Sequence, residues 1–135
     1  MKIVVDTYAW IEIFIGSKKG LKAKDYIQKA TEVYTPDTVL AEIARKYLRE
    51  GMKQDDIKDR LRTITEASDI KPIDTEVALE TARSYILLMN EAKNQRLKAP
   101  SLFDAIILAS AKLLEAKALT GDEHLKRFPE TLWIG

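Results

Sequence analysis

A chain of 135 residues with 46% hydrophobic residues has the material for one domain, residues 1–135, with a substantial core. It has no cysteine, which excludes disulfides, thiolate nucleophiles and cysteine–zinc sites and is compatible with a reducing cytoplasm, the location expected here. A formal net charge of +1 excludes capture of nucleic acid by the field of the whole molecule, so any such binding must come from a local basic patch.

The chain opens on Lys2-Ile3-Val4-Val5, a β-branched run expected to form a short strand buried on both faces and ending in the carboxylate of Asp6. Asp6 also breaks the opening apolar run too early for a signal peptide. Thr7 stands where an N-cap would start a helix over 8–15, stopped by Gly16 and Ser17. Residues 21–30 carry apolar side chains at helical spacing, as on a surface helix. Glu32-Val33-Tyr34-Thr35 reads as a second strand. Thr35 and Pro36 then read as the cap and first position of a helix reaching Glu50, ended by Gly51. Asp55-Asp56 starts a further helix with Ile57, Leu61 and Ile64 on one face. Ile70–Ile73 is a third strand, and Pro72 suggests that it lies at an edge. Asp74 reads as the N-cap of a long helix running to about Asn94, and a basic loop follows over 93–98. Ser101 opens a strongly apolar helix through Ala105–Ala111. That stretch is among the longest uncharged runs and far too short to span a membrane. Lys117–Thr120 is a fourth strand, Gly121-Asp122 a turn into a short helix, and Leu132–Ile134 a fifth strand.

Strands that alternate with helices in this way predict an α/β fold, a three-layer α/β/α sandwich on a five-stranded parallel sheet. Ligands of such sheets gather outside the carboxyl ends of the strands, at the point where strand order reverses. Asp6 ends the first strand, Asp122 follows the fourth, Asp104 lies in the first turn of the helix before the fourth, and Glu42 in the second turn after the second. If the first strand is central, with the second and fourth beside it, all four acids meet in one crevice. Each has an ordinary structural role open to it as well. Asp6 can cap a helix, Asp104 fits a capping box with Ser101, Asp122 suits a turn, and Glu42 can face solvent. Their joint placement favours function, because clustered carboxylates repel one another unless a cation joins them. An all-oxygen set suits Mg²⁺, or Mn²⁺, better than zinc.

Val-Val-Asp6-Thr, Leu-Ala-Glu42-Ile, Leu-Phe-Asp104-Ala-Ile-Ile-Leu-Ala and Leu-Thr120-Gly-Asp122, taken in order, resemble the PIN domain, and more narrowly the VapC-type ribonuclease toxins of toxin–antitoxin pairs. The resemblance runs from Ile3 to Trp133. It implies a metal-dependent endoribonuclease acting on RNA phosphodiesters, with Asp6, Glu42, Asp104 and Asp122 as its acidic quartet and Thr120 as a hydroxyl companion. It also implies inhibition by a cognate antitoxin and assembly as a homodimer. In that setting Mg²⁺ held by Asp6 and Asp104, with Asp122 as a further ligand, would activate water and neutralise the transition state. Glu42 would orient or deprotonate that water, and Thr120 would hydrogen-bond a ligand.

Other readings have less behind them. A metal-dependent phosphatase would carry a second acid near Asp6, where Thr7-Tyr8 stands instead, and a non-catalytic interaction module would not need a complete quartet. Arg45, Lys46 and Arg49, with the Arg96–Lys98 loop, are candidate phosphate contacts. His124, the single histidine, reads as a partly exposed helix residue. Trp10, Phe14 and Tyr85 read as core or interface aromatics. For an inhibitory partner, the expected mode is a helix docked along Trp10, Phe14 and Tyr47, with an Arg or Lys reaching the acids.

Overall fold

The computed structural model describes residues 1–135. Its elements are β1 (Lys2–Val5), α1 (Thr7–Ile15), α2 (Lys18–Lys29), β2 (Glu32–Pro36), α3 (Asp37–Arg49), α4 (Gln54–Ala67), β3 (Asp69–Lys71), α5 (Thr75–Gln95), α6 (Leu102–Leu114), β4 (Lys117–Thr120), a 3₁₀ turn (Glu123–Leu125) and β5 (Thr131–Trp133). The five strands are parallel and lie in the order β3-β2-β1-β4-β5, so β1 is central, the condition for the acids to converge, and β3 is an edge strand, as expected. Val4 stands opposite Tyr34 of β2 on one side and Ala118 of β4 on the other.

Right-handed crossovers carry the chain from β1 through β2 to β3 with α1 to α4 on one face. The return to β4 places α5 and α6 on the other. Covering both faces explains why Val4, Val5, Ala118 and Leu119 are wholly buried and why β1 has no polar alternation. All seven residues of Ala105–Ala111 in α6 are buried, as befits a helix apolar all round and packed between the sheet and α5. This is the three-layer α/β/α sandwich that the alternation of elements predicts.

Four local expectations are corrected. Thr7 is the first residue of α1 rather than its cap; the cap is Asp6, whose Oδ1 accepts from the Ala9 N–H at 2.9 Å. Thr35 does not cap α3 either. Pro36 closes β2 and holds the cap position without a side-chain bond, while Thr35 is buried in a hydroxyl relay. Trp10 Nε1–H donates to Thr35 Oγ1 at 3.1 Å, Thr35 and Ser68 hydroxyls meet at 2.7 Å, and Ser68 donates to the Ile64 carbonyl at 2.7 Å. That relay ties α1, β2 and α4 together, and satisfying the buried Trp10 and Thr35 groups with the half-buried Ser68 hydroxyl outweighs one cap bond. The basic loop is shorter than expected. Helix α5 runs on to Gln95, and Arg96 ends it in the left-handed conformation, φ 56°, with its N–H on the carbonyls of Ala92 and Lys93. Finally, Trp10 and Tyr47 are 2% and 6% exposed, so they belong to the core and cannot form the expected docking face.

Asp74 does cap α5, accepting from the Val77 N–H at 2.9 Å, and this bond holds its carboxyl below the usual range.

Candidate metal centre

Three of the four acids are placed by capping bonds. Asp6 leaves β1 and caps α1 through Oδ1. Asp104 forms a capping box at the start of α6. Its Oδ2 accepts from the Ser101 N–H at 2.9 Å, and Ser101 Oγ accepts from the Asp104 N–H at 3.2 Å. Asp122 caps the 3₁₀ turn, with Oδ1 accepting from the His124 N–H at 2.9 Å. Each of the three thus commits one oxygen to backbone and keeps the other without a backbone donor. Glu42 comes from the second turn of α3 and is held differently, by a hydrogen bond that Thr7 Oγ1 donates to its Oε1.

These carboxylates surround one cavity of about 50 Å³, walled also by Thr7, Tyr8, Phe103 and Ile107. Thr120 is fully buried beneath it, its hydroxyl oxygen accepting from the Asp122 N–H at 2.9 Å. Tyr8 lies against the turn after β4. A Cβ on Gly121 would stand 2.2 Å from the Tyr8 ring, so only glycine lets ring and turn approach. The Tyr8 hydroxyl accepts from Lys19 Nζ at 3.0 Å. Every residue expected in the crevice is therefore brought to it.

None of the four acids forms an ion pair with lysine or arginine. Burial pushes the Asp6 carboxyl up to about 7, and the charges of Asp122 and Asp104 add to that. The Thr120 hydroxyl and Ala9 N–H pull the other way. Asp104 is pushed up to about 6 by burial and then by the neighbouring charge of Asp122.

Sequence reasoning missed Thr7, Tyr8 and His124. Thr7 was visible beside Asp6 but has its role only through contact with Glu42, 35 positions away. His124 is a partly exposed residue of the 3₁₀ turn, as expected, but its ring is tied into the site. Its Nδ1 lies 2.9 Å from Asp122 Oδ1 and 3.9 Å from an oxygen of Asp104, and Nε2 lies 2.8 Å from the Lys98 carbonyl. Burial lowers the affinity of its imidazole for a proton, but the Lys98 carbonyl and the Asp122 carboxylate outweigh this and raise its pKa. Ligand atoms of Asp104, Asp122 and His124 all lie within 4.8 Å of one another, an arrangement able to hold a metal ion. Lys46 instead pairs with Glu50 at 2.7 Å, and Lys98 reaches the site through its carbonyl alone.

A parallel sheet with an acid-lined crevice at its switch point defines an α/β domain of the metal-using kind. The PIN domain model matches residues 3–131, and the chain belongs to that family. Ribonuclease VapC3 of Pyrobaculum aerophilum is 26% identical, with 96% of each chain covered. Among solved structures, VapBC2 of Rickettsia felis, bound to a promoter DNA fragment, superposes with a TM-score of 0.70 at 16% identity, covering 98% of this chain and 97% of that one. The sarcin–ricin loop cleaving toxin VapC20 of Mycobacterium tuberculosis gives 0.66 at 18% identity, covering 96% and 98%. At such identities the structural matches establish the fold. No helix is long and apolar enough to cross a membrane.

Proposed function

We propose that this chain is a metal-dependent endoribonuclease and the toxin of a toxin–antitoxin pair. One observation carries the reading: four carboxylates line a single cavity of about 50 Å³ with no lysine or arginine paired to any of them. The donor set fits a hard divalent cation, Mg²⁺ or Mn²⁺, because the carboxylates of Asp6, Asp104 and Asp122 line the same cavity. Those three residues would hold the ion. When bound, it supplies Lewis acidity for the attacking water and positive charge for the phosphorane-like transition state. Glu42, steadied by Thr7, orients that water and takes its proton. Thr120 holds the Asp122 backbone and the Asp6 carboxyl in register.

A cavity of this volume takes an ion and a few waters but no nucleotide, so RNA lies across its mouth. A separate polar pocket of about 170 Å³, lined by His124, Lys126 and Arg127 together with Glu91 and Glu123, offers two cations to a phosphate backbone. Toxicity requires restraint, and the reading assigns it to an antitoxin. The groove between α3 and α4, about 430 Å³ and lined by Ala44, Leu48, Ile57 and Leu61, suits an apolar helix. A homodimer would use α5, where Leu79, Ile86 and Leu87 are 57%, 62% and 45% exposed. The cytoplasm, where RNA and a nascent antitoxin meet, is the compartment proposed.

Cleavage of an RNA substrate by the purified chain tests the proposal. Activity should require a divalent cation and vanish with EDTA. Asp104→Asn should lower the rate by about a hundredfold or more while the far-UV spectrum stays unchanged. Wild-type rates in that variant would overturn the assignment.

A further inference from the structure

We infer that His124 is a nitrogen ligand of the divalent ion, binding through Nδ1 beside Asp104 and Asp122, and that it makes the site prefer borderline transition ions such as Co²⁺ to Mg²⁺. The inference rests on the acid cluster being a metal site, as proposed above.

Two geometric facts carry it. Nδ1 stands 2.9 Å from Asp122 Oδ1 and 3.9 Å from Asp104 Oδ2. Ligand atoms that share an ion at about 2.1 Å are themselves separated by roughly 3 to 4 Å. The imidazole thus stands within coordination spacing of two carboxylates, in a contact that is a hydrogen bond to Asp122 in the metal-free protein and that a bound ion would replace. The second fact concerns the far side of the ring. Nε2 faces the Lys98 carbonyl at 2.8 Å, and a carbonyl only accepts, so Nε2 carries the hydrogen. With Nε2 held on that carbonyl, Nδ1 is directed at the acids, where it is hydrogen-bonded to Asp122 in the metal-free protein and would exchange that hydrogen for an ion. Imidazoles that bind metals almost always donate their other N–H to a carbonyl or carboxylate, which fixes ring orientation and tautomer. Lys98 lies in the short stretch between α5 and α6, so the chain supplies this outer partner from a separate element.

The consequence is a donor set of mixed character. Carboxylates alone favour Mg²⁺ and Mn²⁺, whereas one imidazole raises affinity for Co²⁺ and Ni²⁺ much more than for Mg²⁺. Had His124 served only to tie the Lys98 stretch to Asp122, its loss would weaken all ions alike.

The experiment uses the full chain freed of metal. Wild type and His124→Ala are titrated with CoCl₂ and MgCl₂ by calorimetry, and Mn²⁺-loaded wild type is measured by pulsed electron paramagnetic resonance. The expected results are directly bound ¹⁴N coupling in the wild-type Mn²⁺ spectrum and a loss of Co²⁺ affinity of about 10- to 100-fold in His124→Ala, with Mg²⁺ affinity changed less than about threefold. Equal losses for Co²⁺ and Mg²⁺, or Mn²⁺ bound without nitrogen coupling, would overturn the role of His124 and leave the acid site standing. Wild type that binds none of the three ions would overturn the acid site itself. The wild-type spectrum decides the matter even if His124→Ala fails to fold.

Discussion

At the scale of the residue, Asp6 shows how capping and chemistry coexist in one carboxylate. Its Oδ1 caps α1 while the same residue, only 5% exposed, lines the cavity. Its carboxyl is raised from 3.8 to about 7, so the folded state holds a proton that the unfolded chain has released. The stability tied to that proton is complete below the unfolded value of 3.8 and is lost as pH rises through about 7. Asp104, raised to about 6, acts in the same direction. The melting temperature of the metal-free protein should therefore fall by several degrees between about pH 5 and pH 8. Asp6→Asn should flatten that slope and melt higher than wild type at the upper pH, because it removes a buried charge. It should also abolish cleavage, a gain in stability with a loss of function. Mg²⁺ should raise the wild-type melting temperature more at the upper pH, since protons compete with metal for the carboxylates. A melting temperature that climbs with pH in the absence of metal would contradict the burial of these charges.

At the scale of the element, the turn after β4 sets the geometry of the site. Gly121 allows the Tyr8 ring within 2.2 Å of where a Cβ would stand, and Asp122 follows directly. Gly121→Ala should destabilise the fold by about 1–3 kcal/mol through overpacking and lower activity by displacing Asp122. Tyr8→Ala in the same chain should recover much of the stability, which a double-mutant cycle by thermal melting would measure. This pair also marks where the sequence stops being readable. The uniform apolar patterns of β1 and α6 announced buried elements, and the caps at Asp74 and Ser101 followed from spacing along the chain. Even the convergence of the acids was legible, because parallel topology places strand ends together. Thr7 and Thr35 were misread because a threonine ahead of an apolar run fits a cap equally well by local rules. What decided their roles were Glu42 and Trp10, at sequence separations of 35 and 25. His124 was underrated for the same reason, since its second partner, Lys98, is 26 positions distant.

At the scale of the whole molecule, the surfaces proposed for catalysis, assembly and restraint are separate. The acids sit at the switch point, the exposed leucines and isoleucine of α5 lie on the opposite layer, and the α3–α4 groove lies on the layer of α1 to α4. Separate surfaces predict separable phenotypes. Ile86→Lys, at a side chain 62% exposed, should leave folding intact and shift sedimentation from dimer to monomer. The groove offers the sharper test. Leu48 lines it and is 66% exposed, so Leu48→Glu removes apolar docking area at little cost to the free chain. Ile57, in the same groove, is 6% exposed and would confound the result by destabilising the core. An antitoxin helix seated there depends on burying apolar surface, and a glutamate on its path must be desolvated without a partner. Leu48→Glu should cleave RNA at the wild-type rate, bind the antitoxin at least about tenfold more weakly, and arrest growth when the two are co-expressed. Inhibition that survives this change undiminished would place the antitoxin elsewhere on the molecule and would leave the nuclease assignment untouched.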